Sequence, residues 1–233
     1  MDAGARVTFP GTRCAPAHPM LIPQGKPHMF DARLQVIDPP ATPVADDARP
    51  SRQEAEAAIR TLIRWAGDSP ARAGLVDTPA RVARAYEEWF GGYAIDPEAL
   101  LARDFETAGY DDIVLLRDIP VRSMCEHHMA AIRGVAHVAY LPGERVVGIS
   151  KLARLVDVYA RRLQIQERLT CEIADALQKV LQPRGVAVVV KATHECIGSR
   201  GIAMHGVGMV TRRLLGDFER EPWRSELLAS LKV

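Results

Sequence analysis

Gln166-Glu167-Arg168-Leu169-Thr170-Cys171-Glu172-Ile173-Ala174-Asp175-Ala176-Leu177-Gln178-Lys179-Val180-Leu181, then Pro183-Arg184-Gly185, then Val186-Ala187-Val188-Val189-Val190-Lys191-Ala192-Thr193, is the stretch that decides the fold. Leu169, Ile173, Leu177 and Val180 recur at helical spacing, so the first part reads as a helix with one apolar face. Pro183-Arg184-Gly185 breaks it. The valine-rich run from Val186 to Thr193 reads as a strand. On the N-terminal side, Ser150 reads as a helix cap, and Leu152, Leu155, Val156 and Tyr159 follow at helical spacing. Before that helix, Ile113 to Val121 and Gly134 to Leu141 read as strands, Pro142-Gly143 as a turn, and Arg145 to Ile149 as extended chain. On the C-terminal side, Gly208 to Leu215 reads as a strand and Pro222 to Leu231 as a short helix. The core order is therefore strand, strand, helix, helix, strand, strand. Two helices over one face of an antiparallel sheet give an α+β fold. The other face needs a cover, and a second subunit is one way to supply it.

Three segments follow from this pattern. Residues 1–50 are rich in Pro, with Gly, Ala and scattered charge but no sustained periodicity, and read as a disordered tail holding Cys14, His18 and His28. Residues 51–110 read as an N-terminal helical part. Ser51 and Glu54 form a capping-box pattern, Ala55, Ile59, Leu62, Ile63 and Ala66 make an apolar stripe, and Gly67 stops the helix. A second helix opens at Thr78-Pro79, with Thr78 as cap, and turns Val82, Tyr86, Trp89 and Phe90 inward before Gly91-Gly92. Residues 111–233 carry the sheet and its helices.

The 233 residues are 25% charged and 48% hydrophobic, with 30 basic against 29 acidic side chains. A net charge of +1 gives no support to a nucleic-acid or membrane-surface role, so phosphate binding has to come from local Arg and Lys clusters. No segment approaches the length of a membrane span, and the N-terminus lacks the order of a secretory signal. Two of the four cysteines adjoin histidines, which favours metal ligation and a reducing, cytoplasmic setting over disulfides.

The chemistry concentrates in Cys125-Glu126-His127-His128 and His194-Glu195-Cys196. Cys125 and His128 can reach one ion from a single tight turn, and Cys196 can add a third ligand. Three ligands leave a tetrahedral position open, as a catalytic zinc requires. A closed zinc site with His194 or His127 as fourth ligand, or thiols and histidines with no ion, fits the spacing too. His127 and His194 are residue types that transfer protons near neutral pH. Glu167 opens a helix, where a carboxylate suits the dipole; it also matches the N1–H and 2-amino pair of guanine. Ser150 and Lys151 at a helix N-terminus, Arg154 one turn on, and Arg200 after Cys196 can each meet phosphate. Arg81 and Arg84, one turn apart, fit a solvated face equally well.

These motifs resemble the GTP cyclohydrolase I family. The resemblance rests on Asp77-Thr78-Pro79 with Arg81, on Cys125-Glu126-His127-His128, and on Gly148-Ile149-Ser150-Lys151-Leu152. It continues through Gln164-Ile165-Gln166-Glu167-Arg168-Leu169-Thr170 and His194-Glu195-Cys196 with Arg200-Gly201. It covers residues 52–218, departing where Ala203-Met204-His205-Gly206-Val207-Gly208-Met209 stands in place of a segment often richer in Ser and Thr. It implies the tunnelling fold, an antiparallel sheet with two helices on one face, assembled as a homodecamer of two stacked pentameric rings with sites shared between subunits. It implies zinc on Cys125, His128 and Cys196, acid/base roles for His127 and His194, and a guanine anchor at Glu167 with Gln166 beside it. It places Lys151, Arg154, Arg200, Arg81 and Arg84 on triphosphate and Ser150 near the ribose. The implied reaction is zinc-dependent hydrolysis of GTP at purine C8, releasing formate and ending in 7,8-dihydroneopterin triphosphate, the first step of tetrahydrofolate and pterin synthesis. The rival expectations are a related tunnelling-fold enzyme acting on another purine or pterin, and a non-catalytic, zinc-stabilised oligomeric binding module.

Overall fold

The structure, a computed structural model, describes residues 49–102 and 104–231. The tail expected over 1–50, with Cys14, His18 and His28, lies outside the described residues except for its last two. The first helix, α1 (Arg52–Trp65), begins at the expected capping box: Ser51 accepts from the Glu54 N–H, and the Glu54 carboxylate accepts from the Ser51 N–H. α2 (Thr78–Trp89) starts one residue earlier than expected, with Asp77 as cap and Thr78 already helical. α1 packs on α2 but buries no residue, and its Trp65 is 87% exposed. Tyr86 and Trp89 are not turned inward either; Pro79 and Ala83 are the buried positions of α2. A stripe of apolar residues at helical spacing specifies a face, and among the described residues that face is left largely uncovered.

A 3-10 turn (Gly91–Ala94) and α3 (Pro97–Leu101) lead into the main body. At Gly92 a methyl group would overlap the Val158 carbonyl oxygen, so glycine is what lets the helical part lie against the core. The strands are β1 (Asp104–Glu106), β2 (Val114–Cys125), β3 (Ala131–Leu141) and β4 (Arg145–Val147). Then come α4 (Ile149–Ala160), β5 (Leu163–Gln164), α5 (Gln166–Leu181), β6 (Gly185–His194), the single turn α6 (Glu195–Gly198), β7 (Gly208–Gly216) and α7 (Trp223–Ser230). α5 has the expected bounds. α4 is capped by Gly148, not Ser150, which places Ser150 inside its first turn.

The main sheet runs β5-β2-β3-β6-β7, antiparallel throughout except for the short β2–β5 pair, and β1 and β4 form a separate ladder. α4 and α5 cover one face, where Leu152, Leu155, Val156, Leu169, Ile173 and Leu177 meet Val121, Ala136, Val138, Val188 and Val190. Burying each large side chain contributes about 1.5–3 kcal/mol. The opposite face is covered at one end by the chain itself. Phe218, Leu227 and Leu231 close over Ala139, Leu141, Ala187 and Val189, so no second subunit is needed there.

A bulge interrupts β2 between Leu116 and Ile119, and Asp118 takes a φ of 58°. The Asp118 N–H donates to Nδ1 of His137, 3.2 Å away on β3, and His137 is 4% exposed. Burial pushes the His137 pKa down; the Asp118 charge opposes this, while Lys191 and Arg117 add to it. Because the folded state holds this ring neutral, the unfolded chain binds the extra proton below the ordinary histidine range. Stability is then present above that range and lost as pH falls. The urea midpoint is expected to fall between roughly pH 7 and pH 5, and to fall less in a His137→Gln variant. Equal slopes in the two proteins would remove His137 from the acid sensitivity.

Candidate active site

Strand register brings the distant motifs together. β2 ends at Cys125, and a tight loop follows in which Cys125 donates its N–H to the Ala130 carbonyl and accepts from the Met129 N–H. β3 then pairs with β6 so that Ile132 faces His194. The end of β6 thus arrives beside the Cys125 loop, and α6 turns Cys196 back toward it. One ligand atom each from Cys125, His128 and Cys196 lies within 4.8 Å of the others. Cys125 is buried, Cys196 is half-buried and His128 is exposed.

The donor set fits a metal. Burial first, then the neighbouring Cys125 sulfur, pushes the Cys196 thiol up, while Arg200 opposes this. A cation held between the two sulfurs would favour their thiolate forms. Cys125, His128 and Cys196 could therefore hold an ion.

His127 lies beside the cluster, with Nδ1 3.9 Å from Cys125 Sγ and Nε2 3.7 Å from Glu126 Oε1. Arg200 Nη1 is 3.1 Å from His128 Nε2. His194 is half-buried, with Nε2 2.8 Å from Gln166 Oε1. Burial pushes the His194 pKa down, and the Glu167 charge partly offsets it, so Glu167 and His194 share one environment. Glu167 is exposed in the first turn of α5. Gln166 is 1% exposed, and its Nε2 is taken up by Val190 O, Met209 O and Thr211 Oγ1.

The remaining expected residues lie elsewhere in the chain. Lys151 donates to the Leu100 carbonyl of α3. Ser150 and Arg154 are exposed on α4, and Arg81 and Arg84 on α2, where Arg81 pairs with Asp77 at 3.2 Å. Among the described residues no hydrogen bond or ion pair joins these five to the Cys/His cluster. Sequence reasoning missed Arg168. Its guanidinium ion-pairs with Glu126 and also donates to Gln164 Oε1 and Leu163 O, so it ties the Cys125 loop to α5 and β5. Its place between Glu167 and Leu169 in the α5 motif was the available signal.

A sheet with two helices on one face, and a Cys/His/Cys group at the strand ends able to hold a metal, define a tunnelling-fold protein with a metal-type centre. Comparison with known proteins makes the class narrower. The model of the family described as GTP cyclohydrolase I matches residues 55–232. GTP cyclohydrolase 1 of Maricaulis maris (strain MCS10) is 52% identical over 191 residues, covering 81% of this chain and 93% of that protein. GTP cyclohydrolase 1 of Allorhizobium ampelinum is 57% identical over 193 residues, covering 82% of this chain and 93% of that protein. Among solved structures, the archaeosine synthase QueF-Like in the apo form aligns at a TM-score of 0.38 and 22% identity, covering 45% of this chain and 93% of that one. The chain belongs to the GTP cyclohydrolase I family and is a hydrolase.

Proposed function

We propose that the protein hydrolyses GTP at C8 of the purine, releasing that carbon as formate and yielding 7,8-dihydroneopterin triphosphate for tetrahydrofolate and pterin synthesis. The observation that carries this reading is the meeting of Cys125, His128 and Cys196 within 4.8 Å, in a chain whose relatives bear the name of that activity. Zinc is the ion that two thiolates and an imidazole suit, and when bound it lowers the pKa of water to about 7.

The chain's own residues do the rest. Glu167 accepts the N1–H and 2-amino hydrogens of guanine in two parallel hydrogen bonds, which fixes the base and rejects adenine. His127 and His194 move protons on the purine ring nitrogens as water adds across C8 and the imidazole ring opens. Arg200, beside His128, meets the phosphate side together with Lys151, Arg154, Arg81 and Arg84, and Ser150 lies toward the ribose. The catalytic unit spans 111–233, preceded by the helical part 51–110.

The distribution of those cations supports a site completed by another subunit. The exposed stripe of α1 and α2 and the unpaired edge of β7 support a homo-oligomer, which we take to be the decamer of two pentameric rings. An active monomer in solution would overturn the shared site. Among the described residues no helix is long and apolar enough to cross a membrane.

The test of the activity is GTP consumption with and without a chelator, following formate and the absorbance of the pterin. Formate should appear in step with GTP loss and stop on chelation. GTP binding without formate release would leave a binding module in place of the enzyme.

A further inference from the structure

Four polar side chains, Gln166 and Thr170 buried and Thr211 and His194 half-buried, form a hydrogen-bonded array that joins α5, β6 and β7. Thr170 Oγ1 lies 2.7 Å from the Gln166 carbonyl oxygen, which can only accept, so Thr170 donates there. Thr211 Oγ1 lies 2.6 Å from Thr170 Oγ1. With the Thr170 proton committed, Thr211 donates to Thr170 and is left to accept. Gln166 Nε2 lies 3.1 Å from Thr211 Oγ1, from Val190 O and from Met209 O. Two of these three neighbours are carbonyl oxygens, and a flipped amide would set its own oxygen against both. The amide orientation is therefore fixed by chemistry. Its oxygen then faces His194 Nε2 at 2.8 Å, and an amide oxygen only accepts.

We infer that Gln166 and Thr211 are positioning residues that hold His194 in the tautomer protonated at Nε2, leaving Nδ1 as the ring's lone-pair nitrogen for proton acceptance in the reaction. The inference rests on the proposed GTP reaction only for what Nδ1 is used for. That Nε2 carries a proton follows from the array alone. It gives Gln166 a task different from lying beside the guanine. It also divides the labour of the two histidines: His194 is held by a buried amide, while His127, whose side chain is 65% exposed, meets Glu126 and the Cys125 sulfur instead. Thr211 belongs to β7, an edge strand, so an outer strand sets the proton chemistry of a residue at the end of the neighbouring one.

The experiment has two arms. In the first, solid-state nitrogen NMR of histidine-labelled, zinc-loaded protein at neutral pH, assigned by comparison with a His194→Ala variant, reads the tautomer without any turnover. A neutral ring protonated at Nε2 is expected, converting to a mixture in Gln166→Met. A ring protonated at Nδ1, or a spectrum that Gln166→Met leaves unchanged, overturns the inference. In the second arm, Gln166→Met should lower kcat by about 10²-fold while the KM for GTP and the zinc content stay within about threefold. Thr211→Val should lower kcat by roughly tenfold and Thr211→Ser should restore it. Adding Gln166→Met to His194→Ala should cost nothing further, because the two act through one group. A rise in KM at constant kcat would place Gln166 on the substrate and overturn its positioning role. Unchanged kinetics with a lower melting temperature would reduce the array to a structural one. If the parent protein does not turn over GTP, the proposed function fails, and the NMR arm still decides the tautomer.

Discussion

A Cys196→Ser protein should carry almost no metal and show no measurable GTP turnover. Its sulfur is one of three donors drawn to within 4.8 Å from two separate strand ends. A serine hydroxyl in its place stays protonated at neutral pH and makes a poor ligand, because ligands must shed their protons to bind. Two remaining donors, Cys125 and His128, lie on one loop and would hold an ion weakly and without fixed geometry. The measurement is metal content after gel filtration, alongside formate release. The variant should still fold, since Cys196 packs only at the margin of the main core. A fully metallated, active Cys196→Ser protein would remove the residue from the centre and leave the cluster as a coincidence of register.

Loss of the Glu167 carboxylate should be nearly as damaging, and in a separable way. Glu167 is exposed in the first turn of α5, beside His194, and is not among the three ligands of the cluster, so Glu167→Ala should leave zinc content unchanged. Its effect belongs to binding. Once a purine covers the site, the N1–H and 2-amino donors are buried without an acceptor, and truncating one side of such a pair costs about 2–5 kcal/mol. That corresponds to GTP affinity weakened roughly 30- to 4000-fold. Calorimetry with a non-hydrolysable GTP analogue measures it directly. Affinity within about twofold of the parent would show that the guanine edge is read elsewhere.

How far the sequence could be read depended on what kind of signal each part carries. The α5 helix and the β6 strand were legible to within a residue because Leu169, Ile173 and Leu177 repeat with the helix and four of the five residues from Val186 to Val190 are β-branched valines. Ser51 and Glu54 named a helix start outright, since a capping box needs no tertiary contact to form. Where tertiary contact decides, the reading slipped. Tyr86 and Trp89 sit on a good amphipathic stripe, yet among the described residues both remain exposed. Gly148 displaced Ser150 as the α4 cap because a β-region backbone suffices there and no side-chain cap bond is made. At the site, Cys125, His128 and Cys196 were legible as types and spacings. Gln166 was legible as a motif member but not as the partner of His194, which depends on β6 and β7 lying under α5. Thr211 had no local pattern to mark it, and Arg168 had only its place in the α5 motif; what each does arises only once three elements meet.

The two cysteines also have a meaning for the chain as a polymer. Cys125 closes the loop after β2, and Cys196 follows β6, so the whole segment holding α4, β5 and α5 lies between them. An ion held at both ends ties off that segment, and the unfolded chain, lacking the assembled donors, cannot hold it as well. Binding then adds RT ln(1 + [ion]/Kd) to the folding free energy. With an ion bound there, the helical layer that buries the core would be coupled to metal supply, and the yield of folded protein would depend on the ion available while the chain is made.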